Sequence, residues 1–402
     1  MNAVGIDVSK GKSMVAVLRP FGEIVASPFE VNHTIEELGK LAKMLRKLDG
    51  ETKVVMECTG QYHLPIAYAL DEEELFVSTV NPIITHNYDN NSIRKSRNDK
   101  SDAIKIASYT LTNWLNLPKY IPEEDARHML KAYSRQYSKY KKIHTMLKNN
   151  LIALLDSAFP GANNLFSSPP RKGDGHEKWV DFVSHFWHCK CISSLSEKAF
   201  TERYRKWCKR AGYNFNKAKA EDVYIESLGH FYVIPKTETT KRLITQAASQ
   251  INTISETVET LAREMKALAA TLPEYPVVME FRGVGDILGP QLIAEIGDVY
   301  RYFKKSSLVR YAGLEPVENQ SGKFNGNQSI SKQGSPHLRK TLFQVMDCLL
   351  KHAPADDLIF QFLDRKRSEG KHYYSYMTAG SAKFLRVYYA RVREYLEKTY
   401  TE

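Results

Sequence analysis

Four acidic residues stand where carboxylates are costly or crowded. Asp7 interrupts the apolar run AVGIDVS (3–9), and Glu57 closes the buried-type run TKVVME just before Cys58, Thr59 and Gly60. A charged group in a buried strand has to be paired, hydrogen-bonded or bound to a metal. Asp99 and Asp102 stand three positions apart in RKSRNDKSDAIKIA (94–107), so on a helix they share one face of its first turn. Hard oxygen donors in this number suit Mg²⁺ or Mn²⁺, and phosphoryl transfer commonly uses two such ions about 3.5–4 Å apart. Each acid also has a plainer reading. Asp99 and Asp102 complement a helix dipole, Asp7 has Lys10 and Lys12 within reach of a salt bridge, and Glu57 would cap a neighbouring helix.

A second chemistry is written into residues 311–344. Between Asn319 and Pro336 apolar content is low, and Ser321, Ser329, Ser331 and Ser335 lie among Lys323, Lys332, His337, Arg339 and Lys340. Cations around a hydroxyl stabilise the pentacoordinate phosphorus formed when that hydroxyl attacks a phosphodiester. Serine needs a base or a metal to act at neutral pH, and His337 is the nearest candidate base. The plainer reading is a loop that grips a nucleic-acid backbone.

The elements that must position these groups are legible in outline. Three short strands (3–9, 13–19, 24–31), an amphipathic stretch (34–48), a strand (52–60), a short helix (62–71), a strand (75–82) and the Asp99 helix predict a mixed α/β sheet with helices on its faces. From Ala126 to Leu155 there is no acid, while Arg127, Lys131, Arg135, Lys139 and Lys142 fall on one side of a helical wheel. Met129, Tyr133, Tyr137, Tyr140, Ile143, Leu147, Leu151 and Leu154 take the other side, predicting one face that packs and one that meets a polyanion. Ile244, Ile251, Ile254, Val258, Leu261, Met265 and Leu268 keep a heptad spacing, which predicts either an intramolecular hairpin or a seam between subunits. Residues 160–175 read as a linker. The stretch after it carries His185, His188, Cys189, Cys191 and Cys208 at spacings that match no usual zinc pattern. Basic and aromatic residues interleave through 203–220, as in a stacking surface or an ordinary helix. Gly283 and Gly285 form a Gly-x-Gly turn before a helix, a helix-hairpin-helix form that would bring backbone N–H groups to a phosphate.

Composition narrows the partner. The 402-residue chain has a formal charge of +11, spread along its length, which predicts an acidic partner, most commonly nucleic acid. No run of about 18 apolar residues exists, so no membrane span is expected. The N-terminus enters a strand pattern instead of a signal-peptide core, and the five cysteines read as reduced thiols, which together predict a cytoplasmic protein.

GIDVSK with Asp7, ECTG with Glu57 and NDKSDA with Asp99 and Asp102 resemble the Asp-Glu-Asp-Asp signature of the RuvC-like domain in the DEDD insertion-sequence recombinases. These are the 110/1111 group of insertion sequences together with the Piv DNA invertases. The four acids alone would equally suit a RuvC-type Holliday-junction resolvase, a metal-dependent nuclease using water. AGLEPVENQSGK followed by ISKQGSPHLRKTLFQ is similar to the C-terminal transposase domain of the same recombinases, which a plain resolvase lacks. The resemblance covers roughly residues 1–155 and 275–350. It implies a RuvC/RNase H-like domain at 1–125, a helical coiled-coil region at 126–272 with an insertion at about 160–235, and a mostly helical transposase domain at 273–402. It further implies Mg²⁺ or Mn²⁺ held by Asp7, Glu57, Asp99 and Asp102, and Ser321 as a nucleophile that becomes covalently joined to DNA, with Ser335 the second choice. Target and donor DNA, a structured guide RNA encoded by the element, and a dimer or tetramer are the partners it implies.

Overall fold

The computed structural model describes residues 1–399 except 59, 83–84, 86–87, 89–97, 123, 318–319, 322–323 and 326–328, with the backbone alone at 320–321 and 324–325. Two compact units result, Met1–Pro122 and Glu123–Glu402.

In the first unit, β1 (Asn2–Ser9), β2 (Lys12–Leu18) and β3 (Ile24–Asn32) form an antiparallel meander. After α1 (Ile35–Arg46), β4 (Thr52–Glu57) pairs parallel to β1, and after α2 (Leu64–Glu72), β5 (Phe76–Val80) pairs parallel to β4. The five-stranded mixed sheet therefore has the order β3-β2-β1-β4-β5, with β1 at its centre. Side chains alternate between faces along a strand. Val4, Ile6, Val8, Val54, Met56 and Val77 enter one core, shared with Leu38, Leu41 and Leu45 of α1 and Ile66 and Leu70 of α2. The opposite face, bearing Gly5, Asp7, Val55 and Glu57, is crossed by α3 (Asp99–Thr112), whose Ile106 packs on Val55 and Val80. A mostly helical remainder follows this mixed sheet.

The second unit begins with α4 (Asp125–Ala158), 34 residues or about 51 Å at 1.5 Å per residue. It lies antiparallel to α9 (Glu238–Ala269): Leu130 packs near Met265 and Ala269, His144 Nε2 meets Ser255 Oγ at 3.1 Å, and Leu151 and Leu155 pack near Ile244 and Ile251. The heptad of α9 thus closes an intramolecular hairpin. The polar-to-apolar assignment along α4 is shifted from the sequence expectation. The buried line runs through Arg127, Leu130, Ser134, His144, Leu151, Leu155 and Ala158, whereas Met129 and Ile143 are exposed.

Between the two long helices, α5 (Lys178–His185), α6 (Lys190–Ser193), α7 (Glu197–Ala211) and α8 (Lys217–Gly229) build a small helical body on an aromatic core of Trp179, Phe182, Phe186, Phe200, Tyr204 and Trp207. The remaining helices, α10 (Tyr275–Met279), α11 (Leu288–Ile296), α12 (Lys305–Tyr311), α13 (Pro336–His352), α14 (Leu358–Ser368) and α15 (Tyr373–Thr399), enclose a separate core around Leu292, Leu342, Val345, Met346, Phe384 and Tyr388.

Candidate active site

The acids of the first unit converge because of a glycine. A Cβ on Gly5 would collide with the backbone oxygen of Ala103 and the backbone nitrogen of Ala107, so only glycine lets α3 lie this close to β1. Two residues on, Asp7 points to the same face. The register Ile6↔Met56 makes Glu57 its neighbour on the next strand. The helix start is fixed by Asn98, whose side chain accepts from Ser101 N at 2.8 Å in a capping box, placing Asp99 and Asp102 in the first turn. Asp7 registers the whole arrangement: burial first, then the charges of Asp99, Glu57 and Asp102, push its carboxyl up to about 6. Glu57 Oε1 accepts from Thr85 Oγ1 at 2.5 Å, and Asp102 Oδ1 accepts from Lys105 Nζ at 3.2 Å.

Such a set fits a divalent cation in donor type and in charge, since like charges raise Asp7 and a positive ion between them would reverse that. The cage is not closed. Among the described residues no group of three or more His, Cys, Asp or Glu is arranged to hold a metal. The Glu57 and Asp102 carboxylates are held instead by Thr85 and Lys105.

The serine segment belongs to the second unit. β6 (Pro316–Val317) pairs with β9 (Ser329–Ile330), and inside it β7 (Gln320–Ser321) pairs with β8 (Phe324–Asn325), so Ser321 lies on the inner rung of a hairpin opposite Phe324. The hairpin base is tied tightly. Gly313 has φ +66, and a Cβ there would come within 2.7 Å of Arg339 Nη1; one on Gly334 would collide with Tyr311 O. Arg339 Nη1 donates to Ala312 O at 2.9 Å and to Gly334 O at 3.2 Å. Ser335 is the N-cap of α13: its Oγ accepts from Leu338 N at 3.1 Å and donates to Glu295 Oε2 at 3.0 Å. Glu295, 1% exposed, also accepts from Arg135 Nε at 3.2 Å. The Ser335 hydroxyl is thereby committed to capping and to a buried carboxylate.

Comparison with known proteins agrees with both halves. A family model of DEDD type described as a transposase matches residues 4–160, and one for the transposases of the IS116/IS110/IS902 family matches residues 275–359. The chain belongs to this transposase family. The pilin gene-inverting protein of Moraxella bovis is 23% identical over 342 residues, 85% of this chain and 80% of that one. A 44.8 kDa protein of insertion element IS116 from Streptomyces clavuligerus is 25% identical over 139 residues, 34% of either chain. The transposase for insertion sequence element IS1111A from Coxiella burnetii is 27% identical over 112 residues, 28% of this chain and 31% of that one. The chain is thus matched along about a third of the length of these last two relatives.

Against this transposase family, the cations expected to meet nucleic acid divide into three groups. Arg127 is buried and its guanidinium grips Glu274 with both nitrogens, Nη2 to Oε2 at 2.9 Å, so it does not lie on a binding face. Arg339 is spent on the hairpin base. Lys139, Lys142, Lys332 and Lys340 are exposed, Arg135 and Lys131 half-buried, and Lys323 lies outside the described residues. Burial lowers the pKa of His337 at the start of α13, with the Glu295 charge opposing and those of Arg135, Lys142 and Lys340 adding to the shift. The Gly-x-Gly turn is half spoken for. A Cβ on Gly283, at φ +76, would meet Leu349 and the Val345 carbonyl at 3.0 Å, while nothing lies within 4 Å of a Cβ on Gly285. Of the His/Cys group, His188 is fully buried, accepting from Lys190 N at 3.0 Å through Nδ1 and meeting Ile234 O at 3.1 Å through Nε2.

Two residues escaped the sequence reading. Gly5 carried a signal only in its place two positions before Asp7 on one strand face. Glu295 carried the same signal as Asp7 and Glu57, a lone acid in the apolar run ILGPQLIAEI.

Proposed function

We propose that this transposase-family chain is a site-specific DNA recombinase of an insertion sequence, cutting and rejoining DNA through a phosphoserine at Ser321. The observation that carries the reading is the gathering of four carboxylate charges at Asp7 in the first unit of a chain whose second unit holds the serine hairpin. Asp7, Glu57, Asp99 and Asp102 would hold Mg²⁺ or Mn²⁺, which when bound offsets charge on the phosphodiester and eases loss of the seryl proton. In the reaction, the Ser321 oxygen bonds to phosphorus and the bond from phosphorus to one strand's terminal oxygen breaks. That oxygen leaves with a proton as a free hydroxyl. In the second half a hydroxyl of another DNA end attacks the same phosphorus and releases the serine. The likeness to guided recombinases supports a structured RNA that pairs with target and donor DNA, so that base pairing selects sequence and exposed cations such as Lys139 and Lys142 hold backbone. It also supports an oligomer in which acids and serine of different subunits act on one linkage.

The test is incubation of the full chain with its element's RNA, Mg²⁺ and a nicked DNA carrying the element's junction, followed by denaturing electrophoresis. A protein–DNA adduct that disappears with Ser321→Ala is expected. Cleavage that persists in Ser321→Ala would instead establish a metal-dependent nuclease that uses water.

A further inference from the structure

The helical body between α4 and α9 lies in residues 161–274, between the two stretches that match the transposase models, and has a core of its own. Its surface is unevenly charged. Along α7, Tyr204, Trp207 and Cys208 are buried, while Arg203, Lys206 and Arg210 are exposed at three- and four-residue spacing, forming one stripe. Among the described residues none of the three has a carboxylate within ion-pair distance, unlike Arg205, which pairs with Glu202 at 3.5 Å. Lys190 and Lys236 add two cations on neighbouring elements: Lys236 Nζ donates to Lys190 O at 3.4 Å, and among the described residues neither is in an ion pair.

The groups beneath this surface report its sign. Burial dominates the titration of His185, His188 and Cys191, and every charged group acting on them is a cation: Arg210 and Arg203 at His185, Lys236 and Lys190 at His188, and Lys236, Arg203 and Lys241 at Cys191. Five cations on three elements, none of them in an ion pair among the described residues, cost electrostatic energy in the free protein. A polyanion recovers it.

Beside Lys190 stands an aromatic pair. Lys190 Nζ lies 4.9 Å from the Tyr232 ring centroid, and the Phe231 and Tyr232 rings are 6.4 Å apart and nearly parallel, at 20°. Phe231 is 86% exposed, although nothing in the fold needs a phenyl ring in water. An exposed aromatic next to a cation line is the arrangement that binds unpaired bases by stacking and their phosphates by charge.

We infer that this inserted body is an additional binding surface for single-stranded nucleic acid, its backbone along Arg203, Lys206 and Arg210 and a base on Phe231. The inference rests on reading the chain as a nucleic-acid enzyme. Its test is run in EDTA, so that binding succeeds or fails independently of strand cleavage.

Fluorescence anisotropy of the full-length protein with labelled oligo-dT and oligo-rU of about 20 nucleotides, and with a duplex of the same length, supplies the readout. Arg203→Ala/Lys206→Ala/Arg210→Ala should reduce the slope of log affinity against log salt by about 2, three phosphate contacts at about 0.7 each on single strands. Phe231→Ala should weaken single-strand binding about tenfold and leave duplex binding unchanged. All four residues are exposed, so melting temperatures should match the parent and folding is not at issue. Tighter binding to rU or to dT tells which strand the surface takes. An unchanged salt slope in the triple variant, or equal losses on duplex and single strand with Phe231→Ala, overturns the inference.

Discussion

Asp7 lives under two opposed demands: folding would have it neutral, and the proposed chemistry would have it charged. Its carboxyl is pushed up to about 6 by burial and by three neighbouring acids, so its ionised form weakens the metal-free fold. Asp7→Asn should therefore match or exceed the parent's melting temperature in EDTA. Mg²⁺ at about a hundred times its dissociation constant should stabilise the parent by about 2.7 kcal/mol and the variant hardly at all, as differential scanning calorimetry would show. A stabilisation by Mg²⁺ that survives the substitution would detach the acids from the metal. The two serines separate in the same spirit. Ser335→Ala removes an N-cap, at about 1 kcal/mol, and leaves Glu295 one donor short, yet the covalent adduct should still form. Ser321→Ala should form none. At this scale the acids of the first unit were legible, because an ionisable residue inside an apolar strand pattern is an exception that demands a partner. Glu295 shows the same exception on a helix and went unread, since its partners Arg135 and Ser335 are far away in sequence.

Elements were legible where one physical pattern dominated. The strands of the first unit announce themselves by alternation and turn residues, and the register follows from which face is apolar. Gly5→Ala tests how tightly that face is built. Its methyl group would meet helix backbone, which cannot rotate aside, so the cost should exceed the ~1–3 kcal/mol of ordinary overpacking, and urea titration would show it. The packing face of α4 was less legible because its periodicity allows two faces, and Arg127 is drawn inward by Glu274 from the far side of α9. Breaking that pair with Arg127→Ala should cost about 3–5 kcal/mol, whereas Arg127→Met with Glu274→Leu should be close to neutral. His188 gives the inserted body a pH dependence. Burial lowers its pKa from the ordinary 6.5, with the Ile234 carbonyl opposing and Lys236 and Lys190 adding to the shift. A depressed folded value means the stabilisation is complete above about 6.5 and is lost as pH falls through the folded value. Thermal melts from about pH 7.5 down to about 5 should fall more steeply for the parent than for His188→Gln.

At the scale of the whole molecule, a charge of +11 says only that the partner is acidic. It does not say which cations meet it. Arg127 and Arg339 count toward that total but serve the interior, while Arg203, Lys206 and Arg210 count equally and face water. Composition cannot distinguish them, because what differs is whether a carboxylate or carbonyl arrives from another part of the chain. Residues 203–220 interleave bases and aromatics. In the structure their aromatics pack inward, and the ring left outside belongs to Phe231, beyond α8.

The inserted body joins the long hairpin along its outer half, where Leu151 and Leu155 of α4 and Ile244, Ala248 and Ile251 of α9 enter its aromatic core and Glu177 and His176 meet Lys148 and Glu256 at mid-helix. Excising it would leave a greasy stump. A shortened chain linking the two helices directly would have to carry polar residues at those five positions to remain monodisperse, so the module is separable by engineering but not by deletion alone.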